Sequence, residues 1–242
     1  MTAPTGHTVI AIDGPAASGK SSTAQWVAKI LGFQHVDSGA LYRAATAALL
    51  RRGGPGLERP ELWTETDILS SAHTVSFLND GTSFAPLIDG VPCGDEIRAA
   101  DVTRNVSRVA QMPGVRAWVN GHVRRAAREH DLVVDGRDMG TIVFPQATLK
   151  IFLVADPWER ARRRLIQVHG RHPSEAEIAE ETDRLVQRDA RDATQTTQAT
   201  DAVLIDTTFL TQEEQVDRIV ALAKAVTHRP SGTLVDGDRQ SG

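Results

Sequence analysis

Cysteine is nearly absent from this 242-residue chain, where Cys93 stands alone. An internal disulfide and a cysteine-built metal cluster are both excluded, and a reducing compartment is the economical expectation. Lysine is scarce too, found only at positions 20, 29, 150 and 224, so arginine carries nearly all of the positive charge. Forked recognition of phosphate would explain that, and so would the base composition of a genome. An excess of positive charge is also missing. The net charge of −4 speaks against a nucleic-acid polymer as partner and for a small anionic one. No apolar run is long enough to span a bilayer, and the chain does not open on a basic stretch followed by an apolar one. The expectation is a cytoplasmic protein that makes no membrane contact. The eight histidines lack metal-ligand spacing and read as structural or solvent-facing.

Residues 14–21 read Gly14, Pro15, Ala16, Ala17, Ser18, Gly19, Lys20, Ser21, followed by Ser22, which is the G-x-x-x-x-G-K-[ST] phosphate loop. The context is right for it. Thr8 to Ile12 is a short β-branched run that reads as a buried strand. Ser22 to Leu31 has helical spacing, with Trp26, Val27, Ile30 and Leu31 expected on the inner face and Gly32 as the stop. In that arrangement loop amides and a helix N-terminus wrap nucleotide phosphates, Lys20 reaches the β- and γ-oxygens, and the Ser21 hydroxyl is a ligand for Mg²⁺. Lys20 is expected to face solvent when no nucleotide is bound.

Strand and helix signals then alternate, as in an α/β fold with a parallel sheet. Further strands are expected at Phe33–Asp37, Leu132–Asp135, Leu149–Ala155 and Ala202–Asp206. Between the second and third, Thr74–Leu78 and Ser83–Ile88 with the turns at Asn79-Asp80-Gly81 and Asp89-Gly90 read as small antiparallel hairpins, within an insertion of about 50 to 70 residues. Asp156 as N-cap, Pro157 at the first helical position and Glu159 to close a capping box start a helix that Gly170 ends; Ser174 with Glu177, and Thr211 with Glu214, start two more. Residues 229–242 are polar and glycine-rich and are expected to be disordered.

A phosphate loop does not specify the reaction. No Asn-Lys pair occurs, so the guanine motif of Ras-type GTPases is absent, and a small kinase remains. Val36-Asp37-Ser38-Gly39-Ala40-Leu41-Tyr42-Arg43 and Val134-Asp135-Gly136-Arg137-Asp138-Met139-Gly140-Thr141 closely resemble two signature segments of bacterial cytidylate kinases. Ile205-Asp206-Thr207-Thr208 and Arg188-Asp189-x-x-Asp192 resemble two more, and the likeness runs from about residue 8 to 227. The resemblance implies a three-layer phosphate-loop kinase core with a five-stranded parallel sheet. It also implies one domain over 1–228, with a nucleoside-monophosphate-binding α+β insert at about 58–122 and a short helical lid at about 157–190. The implied activity is ATP-dependent phosphorylation of CMP and dCMP, with Mg²⁺, in a monomer. A kinase for UMP, AMP or a metabolite, and a non-catalytic nucleotide-binding regulator, are the alternatives.

The resemblance also implies roles. Ser38, Arg43 and Arg137 would hold the acceptor phosphate, Ser107, Arg116 and Asp138 would read cytosine, and Arg188 and Asp192 would contact the sugar. Cytosine offers an amino donor beside two acceptors, which a hydroxyl or carboxylate and a guanidinium complement. The helix from Trp158 to His169 carries Arg160, Arg162, Arg163 and Arg164, of which 160, 163 and 164 share a face that would cover the ATP phosphates. Arg163 and Arg164, with Lys20 and Arg137, are the expected catalytic set. Asp135 would hold a metal-bound water or accept a turn N–H. One position departs from the family pattern: Gln195 stands where relatives carry an arginine, so either Arg191 or Arg184 takes its place or the chain binds CMP more weakly than its relatives do.

Overall fold

The computed structural model describes residues 6–53 and 58–227; the expectation for 229–242 lies outside them. Five parallel strands form the central sheet in the order β2 (Gln34–Asp37), β6 (Leu132–Gly136), β1 (Val9–Asp13), β7 (Leu149–Val154), β8 (Val203–Asp206). All five lie on the expected runs. The three middle strands are almost wholly buried, as near-continuous apolar runs must be when helices cover both sheet faces.

One face packs Ile10, Ile12, Ile151 and Leu153 against α1 (Lys20–Leu31) and α8 (Gln212–Thr227). The other packs Val9, Ala11, Leu132 and Val134 against α2 (Ser38–Arg52) and the helices that follow it. The inner face of α1 differs from expectation. Thr23, Ala24, Val27 and Ala28 are buried, while Trp26 and Ile30 are half exposed. The phosphate loop decides this: once Lys20 turns into the cleft, positions three, four, seven and eight residues later share its side of the helix. Thr23 then bonds Gln215 of α8 at 3.1 Å inside that interface.

Between β2 and β6 the chain forms α3 (Glu65–Ala72), an antiparallel sheet of β3 (Val75–Asn79), β4 (Phe84–Ile88) and β5 (Val91–Pro92), then α4 (Ala100–Val109) and α5 (Pro113–Ala126). The β3–β4 turn is closed by Asp80, whose Oδ1 accepts from the amides of Thr82 and Ser83. It docks on the main sheet, where the His35 amide donates to the Thr82 carbonyl at 3.0 Å. After β7, α6 (Pro157–His169) and α7 (Glu175–Asp192) form a helical pair. Asp156 caps α6 through the amides of Trp158 and Glu159. The expected capping box does not close, because the Glu159 carboxylate turns to Arg162 and Arg163 instead. Ser174 with Glu177 and Thr211 with Glu214 do form reciprocal caps.

The chain leaves β1 through Gly14, at φ 150°, so close to β7 that a Cβ there would lie 2.2 Å from the Leu153 carbonyl oxygen. Backbone cannot yield as a side chain can. Gly14→Ala should therefore destabilise the protein by at least about 2 kcal/mol in urea denaturation, above the centre of point-substitution effects. A variant as stable as the parent would show that this turn can be displaced without cost.

Candidate active site

The carboxyl ends of β1, β2 and β6 open onto one cleft of 1230 Å³. A pocket for one small ligand holds roughly 300 to 1,000 Å³, so there is room here for two. On one side lies the phosphate loop, with Ala17 in left-handed conformation (φ 57°). Lys20, expected to face solvent, is instead only 6% exposed. Its ammonium folds onto its own loop, donating to the Pro15 carbonyl at 2.5 Å and to Ser18 Oγ at 3.4 Å. The loop curls around this side chain, so one loop supplies both the charge and the acceptors that hold it. Burial, with Arg137 as a like charge nearby, pulls the Lys20 pKa down to about 7 despite the opposing charges of Asp135 and Asp13.

Beside Lys20, Ser21 donates its hydroxyl to Asp135 Oδ2 at 2.6 Å. The other oxygen, Oδ1, meets His35 Nε2 at 2.8 Å. Asp135 thus spends its carboxylate on a hydroxyl and an imidazole, and no turn amide among the described residues donates to it. A hydroxyl and a carboxylate at the mouth of a phosphate loop are hard oxygen donors, the set that suits Mg²⁺ held by one or two protein groups, phosphate and water. Among the described residues no group of three or more His, Cys, Asp or Glu side chains forms a cage of its own. Burial opposes a charge on His35, but the bond to Asp135 and the carboxylates of Asp135 and Asp37 prevail, so its pKa lies above the usual imidazole value.

The opposite side of the cleft is a cluster of guanidiniums. Arg43 is anchored to the Ile97 carbonyl at 3.1 Å and Thr103 Oγ1 at 3.0 Å, both on the inserted segment. Asp192 lies 3.3 Å from Arg137 and 3.7 Å from Arg188. That one carboxylate serves two cations, and the Nε atoms of both arginines are buried without a hydrogen-bond partner among the described residues. Arg188 has its pKa drawn down to about 10 by burial and by the charges of Arg137 and Arg43. Ser38 donates to the Asp135 carbonyl at 2.7 Å, in a space where a side chain on Gly136 would lie 2.6 Å from its oxygen.

Deeper in the same half, Arg116 pairs with Asp138 and donates to the Ala110 carbonyl at 2.9 Å. Ser107 lines the wall beside them. Two residues here were missed by sequence reasoning. Tyr42, the only tyrosine, has its hydroxyl buried without a partner among the described residues, next to Arg116, and burial together with Asp138 pushes its pKa up to about 12. It lies inside the motif quoted above, so the signal was present. Arg98 lines the cleft near Arg43, and nothing in its local sequence marks it. Asp13 was missed as well. Its buried carboxylate accepts from the Met139 and Gly140 amides at 2.9 and 2.7 Å, fixing the segment that carries Arg137 and Asp138, and burial pushes its pKa up to about 6.

The four arginines of α6 divide. Arg160 does not share the open face: it is buried, bonds the Ala16 carbonyl and Asp189 at 2.7 Å each, and ties α6 and α7 to the phosphate loop. Arg162, Arg163 and Arg164 line the cleft. Arg163 is held by Glu159 and by the carbonyls of Thr207 and Thr208, and Arg164 by Glu181 at 2.8 Å. Gln195 lines the cleft too, whereas its expected substitutes do not. Arg184 is exposed and paired with Glu180 and Glu181, and Arg191 points away from the lining.

A phosphate loop at the edge of a five-stranded parallel sheet, facing a second basic half across one cleft, defines an α/β phosphate-loop kinase fold. The family model for cytidylate kinase matches residues 10–225. A cytidylate kinase of Chlorobaculum tepidum is 39% identical over 92% of this chain and 95% of its own. Those of Limosilactobacillus fermentum and Chromobacterium violaceum are each 41% identical, over 87% and 91% of this chain and 92% and 95% of theirs. The chain belongs to the cytidylate kinase family.

A lysine whose pKa has fallen from 10.5 to about 7 regains its proton when phosphate arrives. Nucleotide binding at about pH 8.5 should therefore take up close to one proton, and much less at about pH 6, where Lys20 is already charged. Calorimetry in two buffers of different ionisation enthalpy measures this directly. Folding has the opposite sign, since it releases the proton that binding takes up: between pH 7 and 10.5 the unfolded chain holds that proton, so this group makes the free protein more stable as pH rises through that window. No proton uptake at about pH 8.5 would show that Lys20 is already charged in the free protein.

Proposed function

We propose that this protein transfers the γ-phosphoryl group of ATP to CMP and dCMP, giving ADP and CDP or dCDP. The observation that carries the reading is the pairing, in one cleft, of a phosphate loop with a second set of guanidiniums, those of Arg137 and Arg188, whose buried Nε atoms have no hydrogen-bond partner among the described residues. Buried donors left without acceptors are costly, and an anion relieves that cost. Family membership supplies the substrate class.

In this reading Gly14 to Ser22 hold ATP, with the loop amides on its phosphates and Lys20 released from Pro15 to the β- and γ-oxygens. Arg43, Arg137 and Ser38 hold the acceptor phosphate, Arg188 and Asp192 the sugar, and Ser107, Arg116 and Asp138 the base. No general base is needed, because a phosphate monoester has a second pKa of about 6 and its oxygen is already anionic near neutrality. That oxygen attacks the γ-phosphorus in line while the bond to the β,γ-bridging oxygen breaks and ADP leaves. Lys20, Arg137, Arg163 and Arg164 neutralise the charge that spreads over the transferring group. Ser21 directly, and Asp135 through water, would hold Mg²⁺, which supplies further neutralisation of the phosphate oxygens. Closure of the insert (about 58–122) and of the helical pair (about 157–190) keeps water out. A cytoplasmic monomer completes the reading. A coupled assay of ADP formation with CMP, dCMP, UMP and AMP tests it; activity confined to UMP, AMP or none of them would overturn it.

Base choice has its own test. Arg116 and Asp138 satisfy each other, so removing one leaves the other buried and unpaired. Arg116→Met should lower kcat/KM for CMP by about tenfold or more, and the poorer value for UMP much less. Equal losses would assign Arg116 to structure.

At Gln195 a charged hydrogen bond worth about 1.5 to 3 kcal/mol is missing relative to the family pattern. Arg184 and Arg191 lie outside the cleft lining, so Gln195→Arg should lower KM for CMP several-fold. An unchanged KM would mean that Arg98 or Arg164 already fills the place.

A further inference from the structure

His35 occupies the middle of β2, is 5% exposed, and takes no part in the chemistry proposed above. Its two ring nitrogens face different parts of the molecule. Nε2 lies 2.8 Å from Asp135 Oδ1, and since a carboxylate only accepts, Nε2 carries the proton. Nδ1 lies 3.3 Å from Ser83 Oγ, on the turn that leads into β4, and the His35 amide donates to Thr82 on the same turn. The chain of contacts runs from the hairpin of the inserted segment through the imidazole to Asp135, and from the second oxygen of Asp135 to Ser21 at 2.6 Å.

A carboxylate at the end of a strand can rotate about its last torsion, and a donor fixed on one oxygen removes that freedom. We propose that His35 is a positioning residue: by holding Oδ1 of Asp135 it keeps Oδ2 on Ser21 and on the magnesium site, and it anchors this carboxylate to the β3–β4 hairpin. The proposal rests on the reading of Ser21 and Asp135 as the groups that would hold Mg²⁺. A histidine that merely filled space would contact the core through its ring carbons, whereas both nitrogens of this one are engaged, on opposite sides, by side chains of two separate segments. Partners that orient metal-binding groups from behind contribute about 10- to 100-fold in metal affinity.

The test uses two amides of similar polarity. The amide nitrogen of glutamine matches the reach of Nε2 and can still donate to Asp135; that of asparagine matches Nδ1 and cannot. ADP affinity is measured by calorimetry with and without Mg²⁺ on the full chain, alongside thermal unfolding. His35→Asn should reduce the Mg²⁺-dependent gain in ADP affinity by about tenfold and leave Mg²⁺-free binding within about twofold. His35→Gln should keep most of the gain. Equal behaviour of the two variants, whether both intact or both impaired, overturns the proposal, and so does a loss that is the same without Mg²⁺. If the asparagine variant does not fold, His35→Phe, close in shape and without a donor, takes its place with the same expectation. Asp135→Asn separates the proposal from the reading beneath it. Should Asp135→Asn leave the Mg²⁺-dependent gain unchanged, the metal assignment itself fails; should it abolish the gain while His35→Asn does not, only the role of His35 falls.

Discussion

Repulsion among like charges is the constraint around which this structure is arranged. Arg43, Arg137, Arg164 and Arg188 are close enough that each lowers the proton affinity of another cation of the cleft, Lys20 among those affected, inside a chain whose net charge is −4. Such a cluster is costly in the free protein and favourable once phosphate arrives, which is what a preorganised site for polyanions requires. The fold keeps the cost bearable with few carboxylates. Asp192 is shared by Arg137 and Arg188, Asp138 serves Arg116, and Glu159 and Glu181 hold the arginines of α6. Asp13, whose charge also acts on Lys20, spends its hydrogen bonds on two backbone amides.

The two halves of the cleft are tuned differently. On the phosphate-loop side the cation is buried and self-satisfied, because Lys20 uses loop acceptors that a nucleotide can replace. On the opposite side the guanidiniums are pinned by backbone carbonyls and a shared carboxylate, while the Nε atoms of Arg137 and Arg188 have no hydrogen-bond partner among the described residues. Arginine suits the second role, since one edge of its fork can be anchored while another points into the cleft, and its charge survives burial. The scarcity of lysine in the sequence thus has a structural counterpart: among the cations that line the cleft, Lys20 is the one lysine.

Much of this was legible in the sequence, and the failures have a common cause. The phosphate loop, the five strands and the caps at Ser174 and Thr211 are local patterns, fixed by residues a few positions apart, and they read correctly. The inner face of α1 did not, because Trp26 and Ile30 are the more hydrophobic residues while the orientation of Lys20, a tertiary constraint, decides which side turns inward. Burial of Lys20 and the clamp made by Arg160 were missed for the same reason: both depend on carbonyls of the phosphate loop, one brought back by its curl and the other approached from 144 residues away. His35 looked like any core histidine until β2 paired with β6, which sets it opposite Val133 with its ring reaching Asp135 two residues further along, an arrangement that no local spacing encodes.

The Arg160 clamp also limits how the helical pair can move. Arg160 and Asp189 bind both the carbonyl and the amide of Ala16, and Ala161, Ile178 and Leu185 pack on the same residue. The start of α6 and the end of α7 are therefore fixed to the phosphate loop, and swinging them away would expose a buried cation and an apolar contact together. The far ends are not so held. Gly170 closes α6 in left-handed conformation, and the link to α7 is exposed, stabilised by Arg171 with Glu177 at the surface. Surface pairs of this kind contribute little, so the tip is the part of the helical pair held least. Arg164 lies one turn beyond the clamp and is held by the single carboxylate of Glu181, whereas Arg163 is tied to two carbonyls of the loop after β8 as well. In the proposed reaction Arg164 reaches the transferring phosphoryl group by exchanging one partner, whereas Arg163 has to give up a carboxylate and two carbonyls to do the same.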